Sequence, residues 1–141
     1  MIFGNDRNQL RKAYNDAWLR FQQGLPLQPL EQQLVTVIQE HPEYHKQISN
    51  LLMEFSPESG QTNPFLHMGM HLALREQVST NRPTGITMCF KSLIKIAGSP
   101  HEAEHQMMEC LGEALWSAQQ NSTAPDEQAY LSCLKKLSQK K

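Results

Sequence analysis

The stretch SPHEAEHQMMECLGEALWSAQQ, residues 99–120, decides the fold class of this chain. Ser99 is a good N-cap residue, and the fixed φ of Pro100 suits the first turn of a helix. Downstream, His101 and His105 continue into Met108 and Leu115 at helical spacing, which predicts one inward-facing stripe. The stretch therefore predicts a long amphipathic helix from His101 to about residue 120.

Similar helix-start signals, a proline at or after a capping position, recur along the rest of the chain. Asn63-Pro64 predicts a helix through about Ser79, and Pro29 and Pro125 open two further helices. His41-Pro42 predicts a kink or restart, because proline disfavours helix at the residue before it. No window alternates convincingly with period two, so no sheet is expected. We predict an all-α fold, a compact helical bundle of about five to six helices, in one domain covering residues 1–141.

Charge and cysteine content narrow the classes of function. The 13 basic and 14 acidic residues give a net charge of -1, so neither nucleic acid nor a membrane is an expected partner. The N-terminal residues carry no long apolar run, which predicts neither a signal peptide nor an anchor and favours a cytoplasmic protein. Cys89, Cys110 and Cys133 are odd in number and form no C-x-x-C pair, so we expect buried thiols in a reducing compartment rather than disulfides.

Histidine spacing is the strongest functional signal. All six histidines fall into three H-x-x-x-H pairs, whereas random placement predicts only ~0.2 such pairs by counting of template matches. Residues four apart stand one above the other on a helix, so the two imidazoles of a pair can converge on one metal ion. The pairs are His41 with His45, His67 with His71, and His101 with His105.

Two of the pairs and one carboxylate form the predicted ligand set. His67 and His71 continue into the apolar positions Leu74 and Val78, and Glu109 follows His105 by one turn. Glu76 and Glu102 are candidate bridging or supporting carboxylates. Whether the first pair joins the site stays open, because His41 precedes a proline. Imidazoles and carboxylates without organised thiolates suit iron or zinc. The predicted metal ligands are His67, His71, His101, His105 and Glu109.

A different class of function competes with the metal site. Histidines on an apolar face also occur as core groups that are hydrogen-bonded to carboxylates or backbone carbonyls. The chain would then be a non-enzymatic interaction or assembly module, with a second copy of itself or another protein as partner. No catalytic motif, such as a nucleophile elbow or a glycine-rich phosphate loop, is present. Whether the protein is an enzyme therefore stays open.

Three longer strings carry a resemblance to a known family. They are residues 60–77, GQTNPFLHMGMHLALREQ, residues 41–45, HPEYH, and residues 105–116, HQMMECLGEALW, together with the opening from Phe3 to Arg11. With them the sequence resembles an uncharacterised bacterial family, domain of unknown function 1841, over nearly its whole length. That resemblance implies no reaction, cofactor or substrate. A looser likeness to hemerythrin-type and DinB-type helical metal proteins rests only on His and Glu spacing in a bundle.

Overall fold

The computed structural model describes residues 7–49 and 64–139 of the chain. Within those residues it contains seven α-helices, one 3-10 turn and no strand, which confirms the all-α fold. The elements in chain order are α1 (Arg7–Gln22), α2 (Pro29–Gln39), a 3-10 turn (Pro42–Tyr44), α3 (His45–Ser49), α4 (Pro64–Thr80), α5 (Ile86–Ala97), α6 (Pro100–Asn121) and α7 (Glu127–Ser138).

The chain divides into two compact units, Met1–Gly69 and Met70–Lys141, whose boundary falls inside α4. The single domain expected from chain length stays a prediction.

The first unit has an aromatic and aliphatic core built on α1 and α2. Tyr14 and Trp18 lie one turn apart on α1 and are buried, as the spacing of aromatic residues in this helix predicts. The ring of Phe65 meets Tyr14 edge-on, with ring centres 5.4 Å apart. Asn15 Nδ2 donates to the carbonyl oxygen of Ile48 at 3.2 Å, which ties α1 to α3. From α2, the buried residues Leu34, Val35, Val37 and Ile38 complete this core.

The second unit has its own core, to which α4, α5, α6 and α7 all contribute. Its fully buried side chains include Leu74 of α4, Leu93 of α5, Met107 of α6 and Leu134 of α7. Removing several such side chains from water is the main force that holds four helices together, at about 1.5–3 kcal/mol for each fully buried aliphatic side chain. The second unit therefore has a sufficient apolar core to position polar groups on α4 and α6.

Caps fix where the helices of the second unit begin and end. The Oγ of Ser99 accepts the backbone N–H of Glu102 at 3.1 Å, and Pro100 occupies the first helical position of α6. Asp126 caps α7 in the same way, by accepting two backbone N–H groups. Gly98 ends α5 with φ of 97°, a left-handed conformation that costs glycine nothing. The predicted bounds of α6 agree with the observed ones to within a residue.

The predicted break at Pro42 is confirmed, because a 3-10 turn separates α2 from the short α3. One expectation about the helices needs correction. The buried face of α6 carries Glu104, Met107 and Leu111, whereas Leu115 is 47% exposed, so the predicted stripe through Leu115 is wrong at that end. The predicted continuation of the third helical segment to Phe55 lies outside the described residues.

The cysteine prediction is also wrong for two of the three residues. Cys110 of α6 and Cys133 of α7 form a disulfide with Cα atoms 5.8 Å apart, while Cys89 is a buried free thiol. Sequence spacing could not reveal the pair, because 23 residues separate its members and only the packing of α6 on α7 brings them together. Only Cys89 therefore behaves as predicted.

A membrane-spanning helix is not found in the described part of the chain, since each helix there is too short or too polar to cross a bilayer.

Candidate metal centre

Helices α4 and α6 present three histidines to one another inside the second unit. His71 lies on α4, while His101 and His105 lie one turn apart at the start of α6. The Ser99 cap fixes where α6 begins and thereby the direction in which these two side chains leave the helix. His71 is fully buried, and the other two imidazoles are half-buried. The cluster thus has one buried and two partly accessible members.

The three imidazole rings are close together. Ring centres lie 4.7 Å apart for His71 and His101, 5.0 Å for His71 and His105, and 4.4 Å for His101 and His105. A ligating nitrogen lies about 2.1 Å from a zinc ion, which places the centre of its ring about 3.2 Å from the ion. Two such rings that subtend about 90° to 109° have centres about 4.5 to 5.2 Å apart. The observed spacings are close to those of three imidazoles around one ion.

A buried carboxylate lies directly behind His71. The Nδ1–H of His71 donates to Oε1 of Glu104 at 2.7 Å, and both side chains are almost fully buried. Arg75, one turn after His71 on α4, donates to the same carboxylate from Nε to Oε2 at 3.1 Å and from Nη2 to Oε1 at 3.1 Å. This bidentate geometry fixes the position of Glu104, and Glu104 in turn fixes the ring of His71.

The ionisation of Glu104 follows from these contacts. Burial would raise the pKa of its carboxyl group, but the hydrogen bonds from His71 and Arg75 and the positive charge of Arg75 outweigh that effect. The net pKa of Glu104 is lowered below the ordinary value of a glutamate. At neutral pH, Glu104 is therefore a carboxylate that accepts the Nδ1 proton of His71, and a neutral His71 carries its lone pair on Nε2.

A second carboxylate faces His105 from the same helix. The Oε1 of Glu102 lies 3.5 Å from Nδ1 of His105, and Glu102 is the more exposed of the two side chains. This i, i+3 contact favours the Nδ1–H tautomer of His105, which again leaves the lone pair on Nε2. Two of the three imidazoles thus have a carboxylate at Nδ1. That arrangement is typical of histidines that bind a metal through the other nitrogen.

Donor atoms from several residues converge in this cluster. One donor atom each from His71, His101 and Glu104 lie within 4.8 Å of one another. Ligands of one tetrahedral ion stand about 3.4 Å apart when each bond is about 2.1 Å long. Because these donor atoms lie close together, the side chains present fit a divalent transition metal ion.

The predicted ligands have different surroundings in the structure. His71, His101 and His105 are brought together, whereas Glu109 is exposed on α6 and Glu76 is exposed on α4. His67 belongs to the first unit, where its ring centre lies 5.1 Å from that of His41. Glu102 lies beside His105 as a supporting carboxylate.

The remaining histidine, His45, has a structural environment. Its Nε2 hydrogen-bonds to the carbonyl oxygen of Ile38 at 3.0 Å, and its ring lies against Trp18 with ring centres 4.6 Å apart. A nitrogen that donates to a backbone carbonyl offers no lone pair to a metal. His45 therefore fits the alternative interpretation, in which a histidine is a hydrogen-bonded core group rather than a metal ligand.

Sequence reasoning missed the two charged residues that organise the cluster, Glu104 and Arg75. A signal for Glu104 was available, because it shares a helical face with Met107 and Leu111, three and seven residues later. A carboxylate on an apolar face needs a buried partner. Arg75 offered a weaker signal, as the cation one turn after His71.

Comparison with known proteins gives the family but no activity. The profile of the family described as Domain of unknown function (DUF1841) matches residues 6–136. No curated protein and no solved structure matches the chain. Since the match covers nearly all of the 141 residues, the chain belongs to the DUF1841 family.

Proposed function

We propose that this DUF1841 protein binds a divalent transition metal ion through the imidazoles of His71, His101 and His105. The observation that carries the proposal is the pair of carboxylates at Nδ1, Glu104 behind His71 and Glu102 beside His105. Such carboxylates select the tautomer that binds metal through Nε2, and they raise the basicity of the ring. The ring spacings of 4.4–5.0 Å support the same ligand set.

Glu104 acts in this proposal as an orienting group rather than as a ligand. Its two oxygens already accept three hydrogen bonds, two from Arg75 and one from His71. Taking an oxygen away from Arg75 would leave a partly buried guanidinium without its carboxylate, which is costly. Binding through His71 Nε2 leaves these contacts in place.

Three imidazoles suit zinc or ferrous iron and leave at least one coordination position for water or a substrate. When bound, such an ion would supply Lewis-acid or, for iron, redox chemistry at that position. The chain's own contribution is to hold His71 in one tautomer and to keep two accessible histidines beside it. His67 and Glu109 stay sequence-based candidates for further ligands.

Metal content measured by mass spectrometry tests the proposal. Tag-free protein is freed of metal, equilibrated with Zn²⁺ or, anaerobically, with Fe²⁺, and then desalted. The His71→Ala, His105→Ala double variant should lose one ion per chain relative to the wild type. His45→Gln is the matched control, because it removes a histidine that binds a backbone carbonyl, and Glu109→Gln tests the exposed carboxylate. Equal metal content in the wild type and the double variant would refute the site.

Single variants at the half-buried histidines separate a loss of metal binding from a loss of folding. His71 is fully buried, so its replacement can unfold the second unit and remove metal indirectly. The single variants His101→Ala and His105→Ala remove half-buried rings, and circular dichroism checks that they fold. Each should weaken Zn²⁺ binding by at least about tenfold, which is about 1.4 kcal/mol.

A protein-interaction function is the second candidate, and one surface feature favours it. Leu115 and Trp116 are adjacent on α6 and are 47% and 63% exposed. Exposed aromatic residues are enriched where proteins bind one another. If the protein binds neither Zn²⁺ nor Fe²⁺, the molar masses of the wild type and of Trp116→Ser from light scattering would test for a homo-oligomer that this residue stabilises.

We propose a cytoplasmic location, and the Cys110–Cys133 disulfide offers a direct test of it. Stable disulfides are rare in reducing compartments, where those that form are usually transient. Acid quenching of cells followed by thiol alkylation should therefore label all three cysteines. A fully protected Cys110–Cys133 pair would instead point to an oxidising compartment.

A further inference from the structure

Two neighbouring cavities lie within the second unit, and no residue of the three-histidine cluster lines either of them. The first, of about 500 Å³, lies between the loop that joins α4 to α5 and one face of α7. The second, of about 360 Å³, lies between that loop, α6 and the start of α7. Both volumes are within the range of about 300–1,000 Å³ that is usual for small-ligand sites. Because Arg82, Pro83 and Glu127 line both cavities, the two are adjacent.

The first cavity, which we call the cationic cavity, carries two positive charges. Arg82 lies on the loop and Lys135 on α7, and neither side chain forms an ion pair with another described residue. The hydroxyl groups of Thr84 and Ser132 offer hydrogen-bond donors. Glu127 supplies one negative charge, so two positive charges and one negative charge leave a single net positive charge. This lining favours an anion that carries one negative charge.

The second cavity, which we call the apolar cavity, is lined mainly by hydrocarbon. Leu115 is 47% exposed there, so an apolar group that covers it removes hydrocarbon surface from water. Tyr130 lines another side, and its hydroxyl already donates to Oε1 of Gln77 at 2.6 Å. Further apolar lining residues include Leu111, Ala114, Ala124 and Pro125. The apolar cavity therefore favours an alkyl or aryl group.

Hydrogen bonds hold the loop between α4 and α5 in one conformation. Oδ1 of Asn81 accepts the backbone N–H groups of Gly85 and Thr87 at 3.0 and 3.3 Å. The hydroxyl of Thr87 donates to the carbonyl oxygen of Val78 at 2.6 Å. Because the loop is held on both sides of Arg82, the backbone of this residue is preorganised, which lowers the entropic cost of binding a ligand.

We propose that the two cavities together bind a small amphipathic carboxylic acid in its anionic form. The carboxylate lies in the cationic cavity beside Arg82 and Lys135, and the hydrocarbon part lies in the apolar cavity against Leu115. The planar guanidinium of an arginine matches the geometry of a carboxylate. Glu127 borders both cavities, and its negative charge opposes that of the ligand, so it limits the affinity. The proposal does not rest on metal binding, so either can fail without the other.

Calorimetric titration of the metal-free protein with three probes tests both parts of the ligand. Octanoate carries a carboxylate and an alkyl chain, octan-1-ol keeps only the chain, and acetate keeps only the carboxylate. Octanoate should bind at one site per chain, and the other two probes should bind at least about tenfold more weakly, since each lacks one set of contacts. Removing metal beforehand prevents the carboxylate from binding an ion at the histidines.

Matched variants test the individual contacts. Arg82→Gln should weaken octanoate binding by at least about tenfold, because it removes a charge-assisted hydrogen bond. Lys91→Gln, which replaces an exposed cation of α5 that lines neither cavity, should leave the affinity unchanged. Leu115→Ser should weaken octanoate binding, whereas Trp116→Ser changes an exposed neighbour that lines neither cavity and should not. Glu127→Gln should strengthen binding about two- to fivefold, a gain that a loss of folding cannot produce.

Several results would overturn the proposal. Absence of saturable binding at millimolar octanoate would refute the site, and octan-1-ol binding as tightly as octanoate would refute the role of the positive charges. Wild-type affinity in Arg82→Gln or in Leu115→Ser would show that the two cavities do not share one ligand. A Glu127→Gln variant that binds octanoate more weakly than the wild type would place the carboxylate elsewhere.

Discussion

Replacing Glu104 with glutamine should weaken both the fold of the second unit and its metal affinity. The carboxylate is 6% exposed and accepts three hydrogen bonds from His71 and Arg75. Hydrogen bonds to a charged group contribute about 1.5–3 kcal/mol each. The side chain of Arg75 is 29% exposed, however, so water screens its share of the ion pair, and the glutamine oxygen retains one acceptor. We expect a net loss of about 2–3 kcal/mol.

Two measurements on Glu104→Gln separate the effects. Urea unfolding of metal-free protein, followed by circular dichroism, should show the loss in stability, and the melting temperature should fall by about 5–10 °C. Calorimetry with Zn²⁺ should show an affinity about 10- to 100-fold lower, since the amide no longer selects the Nδ1–H tautomer of His71. Glu109→Gln is the matched control on the same helix and should change stability by less than about 0.5 kcal/mol.

The outcomes for Glu104→Gln distinguish three cases. A variant as stable as the wild type would refute the assigned hydrogen bonds. A destabilised variant with full Zn²⁺ affinity would keep the ion pair as a structural feature but refute its orienting role at His71. Loss of both, with Glu109→Gln unchanged, is the result that the geometry requires.

Two further predictions concern covalent and titratable groups. The Cys110–Cys133 disulfide closes a loop of 23 residues, so its reduction should lower the free energy of unfolding by about 3 kcal/mol. Urea titrations with and without reductant measure this loss. An unchanged midpoint would contradict a disulfide in the folded protein. Burial raises the pKa of Tyr14, Tyr44 and Tyr130, and the negative charge of Glu43 raises that of Tyr44 a little further. The folded protein should therefore show no phenolate absorbance at pH values where free tyrosine ionises. Since the folded pKa is raised, these tyrosines favour folding below about pH 10, and that contribution should be lost as the pH rises further, less steeply in Tyr130→Phe.

Local signals in the sequence predicted the helices well. Ser99 with Pro100 fixed the start of α6, and Gly98 the end of α5, because caps and left-handed glycines act over a single turn. The buried face of α6 was harder to predict. Met107 and Met108 are adjacent and support two alternative stripes, one through Leu111 and one through Leu115. Only contacts with α5 and α7 decide between them, and those contacts are not local.

The site was predictable to the same degree as the helices. Histidine spacing identified His71, His101 and His105, because the i, i+4 geometry on one helix is a local property. It could not show that His67 lies beside His41, nor that His45 donates to a backbone carbonyl, since both depend on the turn at Pro42. Spacing also favoured Glu109 over Glu104, although only Glu104 is buried.

Arg75 explains why a search for ligand residues alone gives an incomplete site. Without a guanidinium beside it, buried Glu104 would either take up a proton or bind the ion directly. Because Arg75 donates hydrogen bonds to both oxygens, the carboxylate of Glu104 stays charged and has few further lone pairs to offer. Its remaining function is to accept the Nδ1 proton of His71. Arg75, four residues away on the same helix, thus sets which nitrogen of His71 faces the proposed metal site.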